Sequence, residues 1–295
     1  MKNIIVVTGG AGFIGSNLIS YLIKRTKFKI ISIDNYSTGR KINHIKNKRA
    51  IYLKAENSNI SKVLKKYKKK ISTVFHFGEF SRIYMSFKLL DRCYNSNMVG
   101  TFNVVKFCYE NNIRIIYSAS SSKFGNEGKD EHLSPYSWSK SKNIEFIKNF
   151  SKWYNLKYEI LYFYNVYGPN HIRNSSMAAV IGIFESQYKS KKKLTVVKPG
   201  TQRRDFTHVN DIVRGCYLAF KKGKNTEYLL GTKKTYSVIQ IAKMFKSKIK
   251  LISKRPGERL GSINKDNKAY SHLNYKARID IKDYIKSFIT TNQKN

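Results

Sequence analysis

A short stretch near the start of the chain combines an apolar run with regularly spaced glycines. Residues 4–15 read Ile-Ile-Val-Val-Thr-Gly-Gly-Ala-Gly-Phe-Ile-Gly. The apolar, mostly β-branched run predicts a buried strand of a parallel sheet, and the apolar periodicity that follows Gly12 predicts a helix. A strand, a glycine-rich loop and a helix N-terminus suit a pyrophosphate, because backbone N–H groups and the helix dipole attract the anion. The stretch therefore predicts a dinucleotide-binding fold.

An acidic residue follows the end of the next apolar run. Asp34 follows residues 30–33 and lies nineteen residues after Gly15. A carboxylate in that place accepts a hydrogen bond from the adenosine ribose and disfavours a phosphate there. The strand, the helix and Asp34 together argue against an ordinary glycine-rich turn and indicate NAD rather than NADP as the cofactor.

Apolar runs and helical patterns alternate along the first part of the chain. The predicted strands after the first are 29–34, 51–54, 73–78, 113–117 and 158–164, and the predicted helices include 91–110 and 135–153. Regular alternation predicts an α/β protein with a Rossmann-type, doubly wound parallel sheet. Beyond Asn165 the pattern is mixed. We expect an NAD-binding domain over 1–165, to which 205–222 return, and a smaller mixed substrate domain over 166–295.

Composition disfavours several classes of protein. The formal net charge is +39, but the 44 lysines are spread along the chain and accompany no nucleic-acid-reading motif. We therefore expect no nucleic-acid partner, although a positive field favours an anionic substrate. No apolar run reaches membrane-spanning length, which predicts no membrane association. Cys93, Cys108 and Cys216 lack metal-type spacing, which favours a reduced, cytoplasmic setting without a bound metal.

A serine cluster and a Tyr-x-x-x-Lys sequence follow the predicted strand 113–117. Residues 118–122 read Ser-Ala-Ser-Ser-Ser, and Ser134 is a predicted N-cap that puts Tyr136 in the first turn of a helix with Lys140 on the same face. An ammonium and a nicotinamide cation both favour a phenolate, which can take a proton from a sugar hydroxyl while hydride leaves the same carbon. Chance produces Tyr-x-x-x-Lys readily in a chain with 21 tyrosines. Because this Tyr-x-x-x-Lys sequence follows the glycine loop and the serine cluster along the chain, it nevertheless predicts a set of catalytic residues.

These motifs together resemble one family. The chain is similar along nearly its whole length to the extended short-chain dehydrogenases/reductases, specifically the NAD-dependent sugar-nucleotide epimerase/dehydratase family. The matching stretches are 8–15, 34–39, 97–101, 117–125, 136–140, 165–169, 204–211 and 255–258. The resemblance implies bound NAD, a nucleotide-sugar substrate and a homodimer formed through two helices, here 91–110 and 136–153.

The resemblance also implies individual roles. The implied catalytic residues are Ser120, Tyr136 and Lys140. The implied cofactor-binding residues are Gly9, Gly12, Phe13, Ile14, Gly15, Asp34, Asn35, Phe77, Asn97, Ser120, Tyr136, Lys140 and Tyr164. The implied substrate-binding residues are Asn165, Arg204, Arg255 and Glu258, for which a turn former, surface cations and a surface acid are the alternatives. Apolar faces for a dimer come from Phe102, Val105, Phe107, Ile144, Ile147 and Phe150, which a core role explains equally well.

The residues after Ser120 narrow the reaction. In the resembling dehydratases an Asp-Glu pair follows the catalytic hydroxyl residue, and decarboxylating relatives carry a Glu two places on. Here the two positions are Ser121 and Ser122, neither of which titrates at neutral pH. We therefore expect 4-epimerisation of UDP-glucose and UDP-galactose through a transient 4-ketone. The alternatives are another nucleotide-sugar epimerase or reductase, such as one acting at C6 of ADP-heptose, and a non-catalytic NAD- or nucleic-acid-binding protein.

Two further residues complete the predictions. His76, at the end of a predicted strand, is interpreted as a core or loop histidine rather than a base. Glu79 lies in a loop that is small and neutral in the resembling family. It either contacts the sugar or faces solvent, and the sequence leaves both open.

Overall fold

Strands and helices alternate in the computed structural model, which describes residues 2–258, 261 and 266–293. The strands are β1 (Ile4–Thr8), β2 (Lys29–Asp34), β3 (Ala50–Lys54), β4 (Ile71–His76), β5 (Arg114–Ser120), β6 (Tyr158–Phe163), β7 (Leu194–Val197), β8 (Arg203–Asp205), β9 (Glu227–Leu230), β10 (Thr235–Ser237) and β11 (Ile249–Ile252). The helices are α1 (Phe13–Arg25), α2 (Ile60–Val63), α3 (Ile83–Lys88), α4 (Leu90–Tyr94), α5 (Gly100–Glu110), α6 (Pro135–Tyr154), α7 (Val180–Lys189), α8 (Val209–Lys222), α9 (Val238–Met244), α10 (Lys268–Leu273) and α11 (Ile281–Gln293). Within these described ranges, no helix has the length and apolar character that crossing a bilayer requires.

Seven strands form one parallel sheet in the order β3-β2-β1-β4-β5-β6-β9. All five residues of β1 are buried, as the apolar run predicted. The strand order reverses between β1 and β4, and the crevice beyond the carboxyl ends of the strands at such a point is where open α/β sheets bind ligands. The predicted doubly wound sheet is confirmed.

Helices cover both faces of the sheet. On one face, α5 and α6 contribute Val105, Phe107, Ile144 and Ile147 to the core. On the other face, α1 packs against α8, and β9 pairs with the outer edge of β6. Residues 209–230 therefore share a core with the N-terminal part of the chain.

The remaining elements form a smaller mixed region. It contains the parallel pair β7–β11 and the antiparallel pair β8–β10. Helices α7, α9 and α11 pack around a third apolar cluster that includes Phe184 and Phe245. Ser237 and Gln240 form a reciprocal capping box at the start of α9, which fixes the direction in which this helix leaves β10.

Strand β5 runs three residues beyond its predicted end, to Ser120, and two further elements differ from the sequence-based expectation. Strand β4 ends at His76 instead of Gly78, because the Thr8 hydroxyl accepts hydrogen bonds from the next two backbone N–H groups, those of Phe77 at 3.1 Å and Gly78 at 3.0 Å. The single helix predicted over 91–110 is interrupted between α4 and α5 by a π-helical turn, Asn95–Val99. Such turns insert one residue into a helix and occur frequently at functional sites.

Candidate active site

One cavity of about 1000 Å³ lies at the carboxyl ends of the parallel strands. It is lined both by the large sheet and by the smaller mixed region. The sequence-predicted residues in its wall are Gly9, Gly12, Phe13, Ile14, Gly15, Asp34, Asn35, Phe77, Ser120, Tyr136, Lys140, Asn165, Arg204, Arg255 and Glu258. Asn97 and Tyr164 belong to the predicted set but do not line the cavity. Both are fully buried behind it.

The glycine loop is fixed by close backbone contacts. Gly9 has a φ of +69°, and its N–H bonds the carbonyl of Ile33 at 2.7 Å. A Cβ on Gly15 would come within 2.2 Å of the Gly9 carbonyl oxygen, so this position has no room for a side chain. The N-cap of α1, Gly12, provides no side-chain acceptor for the N–H groups of the first turn. These donors border the cavity and fit a pyrophosphate.

Asp34 closes the other side of this loop. Its carboxylate accepts hydrogen bonds from the backbone N–H of Ala11 at 2.9 Å and of Tyr36 at 2.8 Å. Burial raises the pKa of Asp34, and these two hydrogen bonds oppose the rise. The neighbouring Asn35 amide donates to the carboxylate of Glu56, which also lines the cavity. Two carboxylates at the end of β2 and β3 suit ribose and adenine donors and disfavour an extra phosphate, which fits NAD.

His76 is a core residue, as predicted. It is completely buried at the end of β4, where its ring nitrogens bond the hydroxyls of Thr8 at 2.7 Å and Thr101 at 2.9 Å. Burial lowers the pKa of His76 to about 4, although the nearby Glu79 carboxylate opposes this. The ring is therefore neutral at physiological pH and ties β1 to α5.

Tyr136 and Lys140 lie on the first turns of α6. The Ser134 hydroxyl caps the helix by accepting from the N–H of Ser137 at 3.0 Å, and Pro135 occupies the first helical position, so the predicted helix start is confirmed. Both Tyr136 and Lys140 border the cavity. The Tyr136 ring packs against an apolar cluster of Phe80, Cys93 and Met177.

The Lys140 ammonium is buried and ion-paired. Its Nζ donates to the Ser118 carbonyl at 2.6 Å and forms a salt bridge with Glu79, in which only 6% of the lysine side chain and 2% of the glutamate side chain are exposed. The Nζ also lies 4.7 Å from the centre of the Tyr117 ring. Glu79 is thus held inside the protein, and the alternative that it faces solvent is wrong.

Ser120 ends β5 at the cavity wall. Its Oγ accepts hydrogen bonds from the Ser122 N–H at 3.2 Å and the Ser122 hydroxyl at 2.9 Å. Its own hydroxyl hydrogen remains available for an acceptor in the cavity. Ser121 and Ser122 are buried and belong to the 3₁₀ turn that starts here.

The smaller mixed region adds cationic groups to the cavity wall. Arg204 is largely buried and bonds the Glu258 carboxylate at 3.2 Å, while Arg255 lies 5.4 Å over the ring of Tyr84. Asn165 has a φ of +29° and donates from its amide to the Asp205 carbonyl at 2.9 Å. All four substrate-binding residues that the resemblance implies therefore lie in the cavity wall, namely Asn165, Arg204, Arg255 and Glu258.

Arg82 is a cation that sequence reasoning did not identify. Its guanidinium donates to the carbonyls of Met177 and Ser81 and lies close enough to Tyr136 to interact with it electrostatically. Burial lowers the pKa of Arg82. No carboxylate in the described part of the chain forms a salt bridge with it. The sequence signal available was the position of Arg82 just beyond the end of β4, at the edge where ligands bind.

Asn97 and Asn143 support the site from behind. The Asn97 side chain accepts from the Phe80 N–H at 2.7 Å and so anchors the loop after β4 to the π-helical turn. Asn143 donates to the Glu79 carboxylate at 3.0 Å and to the Asn97 carbonyl at 2.7 Å. Asn143 lies three residues after Lys140, so helical spacing was the signal that could have found it.

Comparisons with known proteins agree with this geometry. The model of the NAD dependent epimerase/dehydratase family matches residues 5–231. A putative UDP-glucose 4-epimerase of Methanocaldococcus jannaschii is 30% identical, with 99% of each chain covered. The ADP-L-glycero-D-manno-heptose-6-epimerase of Brachyspira hyodysenteriae is 29% identical over 84% of this chain and 82% of its own. The crystal structure of Thermotoga maritima UDP-glucose 4-epimerase with UDP-glucose superposes with a TM-score of 0.90 at 25% identity, with 99% of each chain covered.

Proposed function

The chain belongs to the NAD-dependent epimerase/dehydratase family with NAD as its cofactor, and we propose that it epimerises a nucleotide sugar at C4, interconverting UDP-glucose and UDP-galactose. The observation that carries the proposal is the pairing of Tyr136 and Lys140 in one cavity wall with Ser120, while the two positions after Ser120 hold buried serines. Epimerisation at a carbinol carbon needs one group that takes and returns a proton. Unlike dehydration, epimerisation releases no water, so it needs no additional acid or base.

The proposed roles are those that the family resemblance implies, and the shared cavity wall supports them. Bound NAD would supply the hydride acceptor and donor for this reaction. Tyr136, as its phenolate, takes the proton of the sugar hydroxyl and returns it when the ketone is reduced, and the Ser120 hydroxyl donates to the same oxygen. Lys140 would hold the cofactor ribose. Arg204 and Arg255 bind the substrate diphosphate, which leaves the hexose free to present either face to the same hydride site.

Elimination of water is disfavoured by the charges in this region. Ser121 and Ser122 replace the acidic pair with which the dehydratases supply an extra acid and base. The carboxylate of Glu79 borders the cavity but is bound to Lys140 and three further donors. A carboxylate whose two oxygens already accept from these four donors is not available to a substrate.

A second candidate substrate class follows from Arg82. Its guanidinium lies beside Tyr136 and has no carboxylate partner among the described residues. A half-buried cation of this kind is stabilised by an anionic ligand group. A nucleotide hexuronate, whose C6 carboxylate lies next to the reacting C4, supplies one. This favours a hexuronate 4-epimerase as the second candidate.

A nucleotide-sugar panel tests the proposal. Purified protein without added NAD is incubated with UDP-glucose, UDP-glucuronic acid or ADP-heptose, and proton NMR follows the products. We expect conversion of UDP-glucose to UDP-galactose. Conversion of UDP-glucuronic acid alone, lost in Arg82→Met but retained in the matched cavity variant Arg92→Met, would establish the second candidate. Activity only on ADP-heptose, or a requirement for stoichiometric reduced cofactor, would contradict both.

We also propose that the protein is a homodimer that joins through α4, α5 and α6. Val105, Phe107, Ile144 and Ile147 belong to the core of one subunit and are not available for this contact. The same helices and the π-helical turn between α4 and α5 nevertheless expose large apolar side chains, which are Leu90, Tyr94, Val99, Phe102, Tyr109, Trp138, Trp153 and Tyr154. A cluster of exposed aromatic residues on adjacent helices is typical of a protein interface.

Charge placed in this apolar face is expected to prevent dimer formation. The double variant Phe102→Glu/Trp153→Glu buries two carboxylates in the proposed interface, so light scattering should report a monomer where the wild type gives a dimer. Ile42→Glu is the matched control, because Ile42 is the most exposed large apolar side chain of the described residues and lies outside these helices. A wild-type monomer, or a dimer that persists in the double variant, would contradict the proposal.

A further inference from the structure

Glu79 occupies an unusual place for a carboxylate. Its side chain is almost completely buried, and it leaves the loop after β4 toward the interior. One oxygen, Oε1, accepts hydrogen bonds from the Thr101 hydroxyl at 2.9 Å, the Tyr117 hydroxyl at 3.0 Å and the Asn143 amide at 3.0 Å. The other oxygen, Oε2, pairs with Lys140. The carboxylate is therefore fixed by donors from α5, β5 and α6 and has no freedom to follow a substrate.

This arrangement also defines the position of the Lys140 ammonium. An ammonium has three N–H donors. Two of them are used by Glu79 and by the Ser118 carbonyl. One donor remains for the cavity that Lys140 borders. Glu79 thus selects a single orientation of the lysine head group, with one donor left for a ligand hydroxyl.

The pair also changes the charge of the site. A lysine beside a reactive tyrosine and a nicotinamide adds a positive charge there, but here a buried carboxylate compensates it. Other ionisable groups packed around the pair are His76 from β4, Tyr117 from β5, Cys93 from α4 and Tyr136 from α6. His76 is neutral, and burial raises the pKa of Cys93 to about 11 and that of Tyr117 well above 10, so none of these three carries charge at neutral pH.

We infer that Glu79 is a positioning residue which holds Lys140 toward the cofactor and, through its negative charge, favours binding of the oxidised, cationic nicotinamide over the reduced, neutral one. The inference rests on the cofactor half of the site and needs no assumption about which sugar is bound. An internal hydride store must return to the oxidised form after every turnover. A fixed negative charge next to Lys140 stabilises that form.

Binding of the two cofactor forms tests the inference without any substrate. The dissociation constants of NAD⁺ and NADH are measured by calorimetry on cofactor-stripped protein at pH 8. In Glu79→Gln, which removes the charge but nearly preserves the shape, the ratio of the NAD⁺ constant to the NADH constant should rise by about tenfold. Glu79→Asp keeps the charge and should keep the wild-type ratio. An unchanged ratio in Glu79→Gln, with both forms weakened equally, would mean a purely structural role and overturn the inference.

Two variants of Lys140 add an independent comparison in which the charge of the pair changes in the opposite direction and is then restored. Lys140→Met leaves the carboxylate uncompensated, so the ratio should fall below that of the wild type. The double variant Glu79→Gln/Lys140→Met restores a neutral pair, and its ratio should return to the wild-type value. A ratio that moves in the same direction in all variants would overturn the inference.

Discussion

Replacement of Tyr136 by phenylalanine is expected to lower turnover of the nucleotide sugar by about 10²–10⁴-fold. The variant removes the single hydroxyl proposed to take and return the proton of the sugar. The ring keeps its contacts with Phe80 and Met177, and the Ser134 cap of the helix is untouched. The hydroxyl of Tyr136 makes no side-chain hydrogen bond within the described ranges, so stability should change by less than about 1 kcal/mol.

The measurement is the rate of interconversion by NMR, together with the NAD content of the purified variant by mass spectrometry. Tyr84→Phe is the matched control, because it removes one hydroxyl from the same cavity wall at a residue that contacts Arg255 through its ring. The control should keep most of the activity. Turnover of Tyr136→Phe within tenfold of the wild type, with NAD still bound, would remove Tyr136 from the proposed catalytic set.

Replacement of Lys140 by methionine is expected to destabilise the fold by about 3–5 kcal/mol, because it leaves the buried Glu79 carboxylate without its cation. A buried carboxyl group without a cation titrates above its range in the unfolded chain. Its folded pKa then lies above the unfolded one, so the variant loses further stability as the pH rises. The deficit relative to the wild type should therefore be larger at pH 8 than at pH 5.

Urea unfolding at the two pH values measures this deficit. The double variant Lys140→Met/Glu79→Gln carries no buried charge at the pair, and it should recover most of the stability and lose the pH dependence. Its activity should stay low, since Lys140 is still absent. A double variant as unstable as the single one would show that the lysine stem, and not the ion pair, holds this region together.

Much of the fold follows from local sequence patterns. The apolar run of β1, the glycine loop and the carboxylate at the end of β2 each lie where their spacing predicts. The start of α6 was also predictable, because Ser134 and Pro135 act within one helical turn. These features depend on contacts between residues close in sequence.

The features that were missed depend on contacts between distant residues. Glu79 is held by residues 22 to 64 positions further along the chain, so its own neighbours give no sign that it is buried. The π-helical turn likewise carries Asn97, which anchors the loop after β4, a contact between residues 17 positions apart. The sequence could not decide whether Val105 and Ile144 belong to a dimer interface or to the core, because apolar residues suit both places. Both are completely buried in the core.

The pairing of β9 with β6 has a consequence for synthesis. A ribosome that has delivered only residues 1–165 has produced a sheet whose outer edge is bare and whose second face lacks α8. Bare edges and apolar faces of this kind associate with other nascent chains. The sheet of the dinucleotide-binding core is complete only after Leu230 has left the exit tunnel, so the nascent chain exposes this edge and this face over that interval.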